Sequence, residues 1–274
     1  MALEAALLYP EQITSVRLIS DPGVLNDPFT RMLKLVETHR LDLKMKDDPI
    51  SSKEALAVGW KFLIKGPYER IFVVHDSLLP KYRGWNPLVT ALQNLDSEIG
   101  VTLILADKQI DNGPILLQAS VGITYPCKIV DAMKSIENEI KGLVDFLLRQ
   151  HDRENLPMQY QLEDSATYSI WRDEEDYRID WSKSAEKILA FIDSVSFPYK
   201  GASTTLNGDF LRIFSARIAP DLLVINRTPG KVWKIDNLNP TILCGTGSIE
   251  ILEYRFEDEL RQPNYLTSIK SKLV

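Results

Sequence analysis

The chain has 274 residues, of which 45% are hydrophobic, 26% charged and 9% aromatic, with 13 glycines and 15 prolines. This composition is that of an ordinary globular protein and excludes collagen-like, coiled-coil and disordered chains. The formal net charge is −6, divided as −2 over residues 1–150 and −4 over residues 151–274. Since neither half offers a basic surface to a polyanion, we expect no nucleic-acid partner.

Three features of the sequence bear on where the protein works. No run of about 18 apolar residues is present, so we expect no membrane span. Met1–Glu4 has neither a basic segment nor a cleavage pattern, so we expect no secretory signal. Two cysteines, Cys127 and Cys244, in a chain of this length indicate a reducing compartment and buried thiols. Together these features predict a cytoplasmic protein.

Short β-rich runs alternate with helical patterns up to residue 150, which is typical of βαβ units. The predicted strands are Ser15–Ser20, Leu56–Trp60, Ile71–His75 and Val101–Ala106, and the predicted helices are Asp27–Thr38, Pro87–Leu95 and Ile129–Gln150. In the last of these, apolar residues recur at three- and four-residue steps, which predicts one long packed helix. We therefore expect an α/β domain with a Rossmann-like, mostly parallel sheet.

The pattern changes after residue 150. A polar break at residues 151–155 precedes a helix predicted over Ser184–Val195, with Ser182 or Ser184 as its N-cap. Five strand candidates separated by glycine and proline follow: Ala202–Leu206, Phe210–Ala216, Lys231–Ile235, Thr241–Cys244 and Ser248–Tyr254. We divide the chain into an α/β domain at 1–150, a helical linker region at 151–200 and a small, mostly β domain at 201–274.

The residues that could take part in a chemical reaction lie mostly between positions 71 and 116. Ile71–His75 has the pattern of a buried strand that carries His75 at its C-terminal end, where open α/β sheets bind ligands. An imidazole there can accept or relay a proton near neutral pH. Asp111 follows the next strand, and Asn112-Gly113 can turn the chain back toward the same crevice. From the residues alone, a structural histidine and an ordinary turn aspartate remain alternatives.

The complete pattern closely resembles the folate-dependent formyltransferases. HDSLLPKYRG at 75–84 resembles the family's His-x-Ser-Leu-Leu-Pro motif, and GVT at 100–102 with DNGPIL at 111–116 resembles its Asp-x-Gly motif. AVGWKFLI at 57–64 resembles the strand and loop that hold the folate. Ile179–Trp181, Pro198–Ala202 and Thr228–Val232 resemble the linker and C-terminal region of the methionyl-tRNA and sugar-nucleotide enzymes. The similarity covers about residues 12–255 and is strongest to the sugar-nucleotide N-formyltransferases.

This resemblance implies transfer of a formyl group from 10-formyltetrahydrofolate to the amine of a nucleotide-linked amino-dideoxysugar, without a metal. It implies His75 as the proton acceptor or oxyanion partner and Asp111 as the carboxylate that orients it. The expected folate contacts are Val58, Trp60, Leu63, Ala106 and Ile110, and the expected acceptor contacts are Ser77, Lys81, Tyr82 and Arg83. Lys81 and Arg83 would pair with the diphosphate. We also expect a homodimer with a small-molecule substrate.

Several alternatives stay open at this point. Trp60 also suits core packing, Lys81 and Arg83 suit a solvated loop, and the acidic run Asp173–Asp176 suits a solvated surface better than a metal site. The family has Asn two residues before its histidine, where this chain has Val73. Losing such an oxyanion donor costs about 2.7–4 kcal/mol of transition-state stabilisation. The alternatives are a catalytically impaired folate- or sugar-nucleotide-binding paralogue, a methionyl-tRNA formyltransferase and a formyl-folate hydrolase.

The start of the chain differs from the usual α/β pattern of a buried strand and a Gly-containing turn. Met1–Tyr9 already has the pattern of the first helix, and Gln12–Ser20 that of the next strand. In the family the opening strand lies between the strands that correspond to Gln12–Ser20 and Leu56–Trp60. We therefore expect these two to pair directly, or a strand to be supplied by another segment, another subunit or residues upstream.

Overall fold

The computed structural model describes residues 1–25, 28–45, 48–206, 208–257 and 268–274. Its helices are α1 (Ala2–Ala6), α2 (Phe29–Thr38), α3 (Pro87–Asn94), α4 (Ile129–Ser135), α5 (Glu137–Arg149) and α6 (Ala185–Ser194). The strands of the first part are β1 (Val16–Arg17), β2 (Leu43–Lys44), β3 (Glu54–Val58), β4 (Arg70–His75), β5 (Arg83–Gly84), β6 (Glu98–Leu105), β7 (Ile115–Gly122) and β8 (Tyr168–Ser169). Those of the second part are β9 (Ala202–Leu206), β10 (Asp209–Ala219), β11 (Val232–Asp236), β12 (Asn239–Leu243) and β13 (Ser248–Phe256).

The main sheet of the first part has the strand order β3-β4-β6-β7. β3 and β4 are parallel, whereas β4 pairs antiparallel with β6 and β6 with β7. β1–β2 and β5–β8 are short parallel pairs outside this sheet. The predicted α/β class is confirmed, and the parallel pairing expected for it occurs in the pairs β1–β2, β3–β4 and β5–β8. The sheet itself is mixed because β6 and β7 are joined by a short connection, which favours antiparallel pairing.

The helices bury one face each. α5 buries Ile140, Leu143, Val144 and Leu147 and packs against β6 and β7. The helix predicted over Ile129–Gln150 is in fact two helices that meet at Ile136, which is the C-cap of α4 and the N-cap of α5. Ile136 is itself buried, so the apolar spacing continues through the break. Among the described residues, no helix is long and apolar enough to cross a bilayer.

The second part contains a five-stranded antiparallel sheet in the order β11-β12-β13-β10-β9. α6 packs against β10 and β13, and Ile188 and Ile192 of the helix are fully enclosed with Leu211 and Ile213 of β10. Of the two candidate caps, Ser184 is the one that accepts the Lys187 N–H. The mostly β class of this part is confirmed, while the boundaries 1–150, 151–200 and 201–274 stay predictions.

The beginning of the chain is helical, as predicted, and α1 packs on α5. β1 pairs with β2 and not with β3, so direct pairing, the first of the expected alternatives, is wrong, and the others stay predictions. β1 has only two residues, and both pair with β2, opposite Leu43 and Lys44. It therefore does not add a strand to the main sheet. Within the described residues, β3 is therefore an edge strand. The helix predicted from Asp27 begins at Phe29, and Asp27 lies outside the described residues.

Candidate active site

β4 places His75 at its C-terminal end, opposite Thr102 of β6. The His75 ring is almost enclosed, and its Nε2 lies 2.9 Å from the backbone carbonyl oxygen of Tyr82. Because a carbonyl oxygen only accepts hydrogen bonds, Nε2 carries the proton and donates. The neutral ring therefore keeps its free lone pair on Nδ1, which is the atom able to take up a proton.

Asp111 faces that nitrogen from the connection between β6 and β7. Its Oδ2 lies 3.6 Å from His75 Nδ1 and accepts the Gly84 N–H at 2.8 Å. The predicted approach of His75 and Asp111 in one crevice is confirmed. A proton bound at Nδ1 faces a carboxylate in a largely dehydrated setting, and the opposite charges stabilise the imidazolium that forms.

Close backbone contact fixes the turn that carries Asp111. Asp111 has a left-handed backbone with φ of 50°. A Cβ atom on Gly113 would lie 1.8 Å from the carbonyl oxygen of Leu105, which no side chain tolerates. The turn therefore lies directly on the end of β6, and the position of Asp111 depends on Gly113.

Three consecutive residues, Tyr82 and the two residues of β5, hold the His75–Asp111 pair from the other side. The Tyr82 carbonyl accepts from His75, and the Gly84 N–H donates to Asp111. Between them, the Arg83 N–H donates to the Thr167 carbonyl at 2.9 Å, which joins this segment to the linker region. The segment thus connects both members of the pair to residues that come much later in the chain.

The structure corrects the role expected of Arg83. Its side chain is 1% exposed, and the guanidinium contacts Gln161 Oε1 at 3.1 Å, Glu163 Oε2 at 2.8 Å and the Tyr168 hydroxyl at 3.3 Å. A substrate diphosphate has no access to a guanidinium enclosed in this way. Arg83 instead fastens the linker region to the loop that holds His75.

The other predicted acceptor residues lie around a pocket of about 160 Å³. Ser77, Lys81 and Tyr82 line it together with Asp76, Asp96 and Glu98, whereas His75 and Asp111 do not. The Ser77 hydroxyl donates to the Lys81 carbonyl at 2.6 Å, and the Tyr82 hydroxyl donates to Asp96 at 2.9 Å. Lys81 alone among these three is exposed. Three carboxylates against one lysine make this pocket unfavourable for a diphosphate.

Of the predicted folate residues, Val58 ends β3 beside Val74, and Ala106 follows β6 and donates its N–H to the Ile71 carbonyl. Val58, Trp60 and Ala106 are half-buried, while Leu63 is 81% exposed and Ile110 57% exposed. Trp60 Nε1 is buried and has no hydrogen-bond partner within the described residues. An unpaired N–H beside exposed apolar side chains suits a flat ligand that carries its own acceptor atoms. These residues therefore fit a pterin.

Val73 points into an apolar cluster rather than supplying a polar group. Val73 lies on the strand that carries His75, and its side chain packs against Leu79, Ile104 and Ile115. The position of the family's asparagine is thus occupied by a side chain that cannot donate a hydrogen bond.

Comparison with known families bears directly on this site. Residues 58–146 match the family model described as formyl transferase, and residues 172–267 match the model described as its C-terminal domain. The chain belongs to the formyl transferase family. The first match contains His75 and Asp111, and the second includes α6 and the C-terminal sheet.

Individual relatives agree with this assignment. Methionyl-tRNA formyltransferase of Roseobacter denitrificans is 29% identical over 195 residues, which are 70% of this chain and 59% of that protein. The chain therefore spans about three fifths of that curated relative. The N-formyltransferase of Helicobacter canadensis, solved with folinic acid and dTDP-3-aminofucose, has a TM-score of 0.66 at 19% identity, covering 91% of this chain and 93% of that one. HypX of Aquifex aeolicus, solved with tetrahydrofolic acid, has a TM-score of 0.58 at 18% identity, covering 94% of this chain and 42% of that one. These structural similarities show the fold.

One residue beside the His75–Asp111 pair, Gln161, has no signal in the sequence. Gln161 donates from Nε2 to the carbonyl oxygens of Asp111 and Gly113, both at 2.8 Å. It lies in the linker region outside any motif, so only the three-dimensional arrangement reveals it. Within the described residues, no group of three or more His, Cys, Asp or Glu side chains is arranged for a metal. Glu174 of the acidic run pairs with Arg212.

Proposed function

We propose that the protein transfers a formyl group from 10-formyltetrahydrofolate to the amine of a nucleotide-linked amino sugar. Membership of the formyl transferase family supports formyl transfer. The observation that carries the proposal is the His75–Asp111 pair, with Nδ1 and Oδ2 3.6 Å apart at the strand ends. The folate donor is supported by the fit of Trp60, Leu63 and Ile110 to a pterin.

The residues of the site have separate tasks in this reaction. Bound 10-formyltetrahydrofolate supplies the electrophilic formyl carbon. His75 takes up the proton of the attacking amine at Nδ1, because its Nε2–H is already donated to the Tyr82 carbonyl. As the bond between the formyl carbon and the folate nitrogen breaks, His75 returns this proton to that nitrogen, and tetrahydrofolate leaves. Asp111, held by the Gly84 N–H, stabilises the charge that the ring acquires. Val73 contributes no donor to the developing oxyanion, so this charge stabilisation has to come mainly from His75.

The folate would lie on the side of the crevice formed by β3 and the residues after β6. Main-chain groups near Val58 and Ala106 would bind the amide edge of the pterin. Leu63 and Ile110 would exchange exposure to water for contact with the ligand, which supports binding through the hydrophobic effect.

Two lines of support favour a sugar nucleotide as the acceptor. The Helicobacter canadensis enzyme, solved with a dTDP-linked aminosugar, shares its fold over nearly the full length of both chains. The net charge of −4 over residues 151–274 disfavours a polyanion such as tRNA. Methionyl-tRNA is the second candidate, because the Roseobacter denitrificans relative carries that name at 29% identity. Lys81, the exposed cation of the pair expected to meet a diphosphate, shares its pocket with three carboxylates and adds no support for a sugar nucleotide.

A single acceptor screen separates these candidates. The protein is incubated with 10-formyltetrahydrofolate and, in parallel, with a panel of nucleotide-linked amino sugars or with methionyl-tRNA, and products are identified by the mass of one added formyl group. Formylation of a sugar nucleotide supports the proposal, whereas formylation of methionyl-tRNA alone replaces it with the second candidate. Acceptor-independent loss of the formyl group indicates the hydrolase, and folate binding without turnover indicates the impaired paralogue. The matched control is His75→Gln.

A further inference from the structure

Gln161 contacts the two parts of the chain that form the catalytic pair. Its Nε2 donates to the carbonyl oxygens of Asp111 and Gly113 at 2.8 Å each, and its Oε1 accepts from Arg83 Nε at 3.1 Å. One side chain therefore makes three hydrogen bonds, two to the turn that carries Asp111 and one to the loop that contacts His75.

The segment around Gln161 is itself fixed in place. Gln159 pairs through its backbone with Ile115 at the start of β7, with N···O distances of 2.8 and 2.9 Å. Two residues later, the Gln161 amide meets Arg83, whose guanidinium is also bound by Glu163 and is 1% exposed. Both the backbone of this segment and the side-chain partner of Gln161 are therefore held by contacts within the chain.

The turn needs these bonds. Asp111 has a left-handed backbone, and its carbonyl and that of Gly113 point away from the hydrogen bonds of the main sheet and toward Gln161. Without a donor, two partly buried carbonyl groups would lose their partners, and the turn would relax toward water. Such a movement would change the separation between Asp111 and His75, and small misplacements of catalytic groups reduce rates strongly.

We infer that Gln161 is a positioning residue that holds the Asp111 turn against His75, so that the linker region is part of the active site. The kinetic part of the test rests on the proposed formyl transfer, whereas the geometric part does not.

The test uses Gln161→Glu, which has nearly the same shape and can still accept from Arg83 but cannot donate to the two carbonyls. The matched control is Gln159→Glu, two residues earlier, whose side chain is exposed and makes no hydrogen bond within the described residues. In Gln161→Glu, kcat is expected to fall about 10- to 100-fold with KM for the formyl donor little changed. Gln159→Glu is expected to keep both values.

A second readout needs no substrate. The chain has three histidines, so ring resonances of His75 can be followed by NMR beside those of His39 and His151. Gln161→Glu should move the His75 resonances and leave the other two in place, and Gln159→Glu should move none. If the wild type shows no formyl transfer but His75 still shifts in Gln161→Glu, the proposed function fails and the positioning role stands.

Other outcomes would overturn the inference. Wild-type kcat and unchanged His75 resonances in Gln161→Glu would show that the turn holds itself, and an effect confined to KM would indicate a binding role instead. If thermal unfolding shows that Gln161→Glu does not fold, Gln161→Met is tested in its place. It keeps the side-chain length and removes all three hydrogen bonds, so wild-type kcat and His75 signals in this variant would equally exclude a positioning role.

Discussion

His75 Nδ1 and Asp111 Oδ2 are 3.6 Å apart, farther than the roughly 2.9 Å of an ordinary hydrogen bond but within the range of an ion pair. With Nε2 committed to the Tyr82 carbonyl, the neutral ring presents a lone pair to the carboxylate, and these two groups do not attract each other. Protonation at Nδ1 turns this contact into a favourable one. The contact between the two groups is therefore attractive only when the ring has accepted a proton, which is the state that the proposed amine attack would produce.

Replacing His75 by glutamine tests this arrangement. Gln can still donate to the Tyr82 carbonyl but cannot accept a proton, so kcat is expected to fall about 10²- to 10⁴-fold. The thermal unfolding midpoint should change little. Steady-state kinetics and calorimetry measure both, with His39→Gln, at an exposed position, as the control. A His75→Gln enzyme that keeps most of its activity would remove the histidine from the mechanism.

Val73→Asn restores the amide that the family pattern carries. If the amide reaches the formyl oxygen, kcat should rise by up to about 10²- to 10³-fold, the effect of a single oxyanion donor. The substitution also places a polar group against Leu79, Ile104 and Ile115, so a lower unfolding temperature is expected. Val73→Thr, with a shorter donor, serves as the comparison. Unchanged or lower kcat in a folded Val73→Asn enzyme would show that other groups already stabilise the oxyanion.

Gly113→Ala should disable the site through the backbone alone. The added methyl would lie 1.8 Å from the Leu105 carbonyl oxygen, so the turn with Asp111 must move. We expect kcat to fall about 100-fold. Gly142→Ala is the control, because a Cβ there meets nothing within 4 Å. A Gly113→Ala enzyme with normal kcat would mean that the turn adjusts without displacing Asp111.

Replacing Arg83 should lower the free energy of unfolding, whereas replacing Lys81 should leave it nearly unchanged. Arg83→Ala removes an enclosed guanidinium and its bonds to Gln161 and Glu163, so a loss of roughly 2–4 kcal/mol in the free energy of unfolding is expected. Lys81→Ala, at an exposed position, should leave that free energy within about 0.5 kcal/mol of the wild type. Chemical denaturation measures both. Equal stability of the two variants would contradict the structural role given to Arg83.

Asp193 predicts how stability depends on pH. Burial raises the pKa of Asp193 to about 6, with Lys128 opposing and Asp131 adding to the shift. The unfolded chain releases this proton near pH 3.9, so the folded state binds more protons between about pH 4 and 6 and loses stability as the pH rises through that window. Asp193→Asn should therefore stabilise the protein at pH 7.5 by up to roughly 2–3 kcal/mol.

The same variant should show a flatter stability profile from pH 4 to 6, measured by denaturation at a series of pH values. Asp164→Asn, which removes an exposed carboxylate that has no part in the shift of Asp193, is the control. A profile for Asp193→Asn that parallels the wild type would show that Asp193 does not bind its proton more tightly when folded.

Local patterns in the sequence were sufficient for most elements and for the places of His75 and Asp111 at the ends of these elements, whereas their predicted role came from the family resemblance. β4 could be predicted because a β-branched apolar run ends at His75, and the turn at Asp111 because Asn112-Gly113 follows it. The five C-terminal strands were recognisable because glycine and proline separate them. Each of these signals lies within a few residues of the feature that it predicts.

What the sequence could not show depends on contacts between distant segments. Arg83 has the residue type of a phosphate ligand, and only its bond to Gln161, 78 positions later, reveals that it is enclosed. Gln161 carries no local signal because its partners lie 48 and 50 positions earlier. The break at Ile136 was also hidden, since the residue stays buried and preserves the apolar spacing.

The edge position of β3 has a consequence for how the protein behaves at high concentration. An edge strand offers free backbone donors and acceptors to any extended chain that it meets, and so invites self-association. Here the first residue of the strand, Glu54, is bound by both Arg70 and Arg153 at 2.7 Å, which places a charged cluster at one end of that edge. Colloidal stability of the molecule would then depend on ionic strength, because salt weakens the very charges that keep a second strand from adding to the sheet.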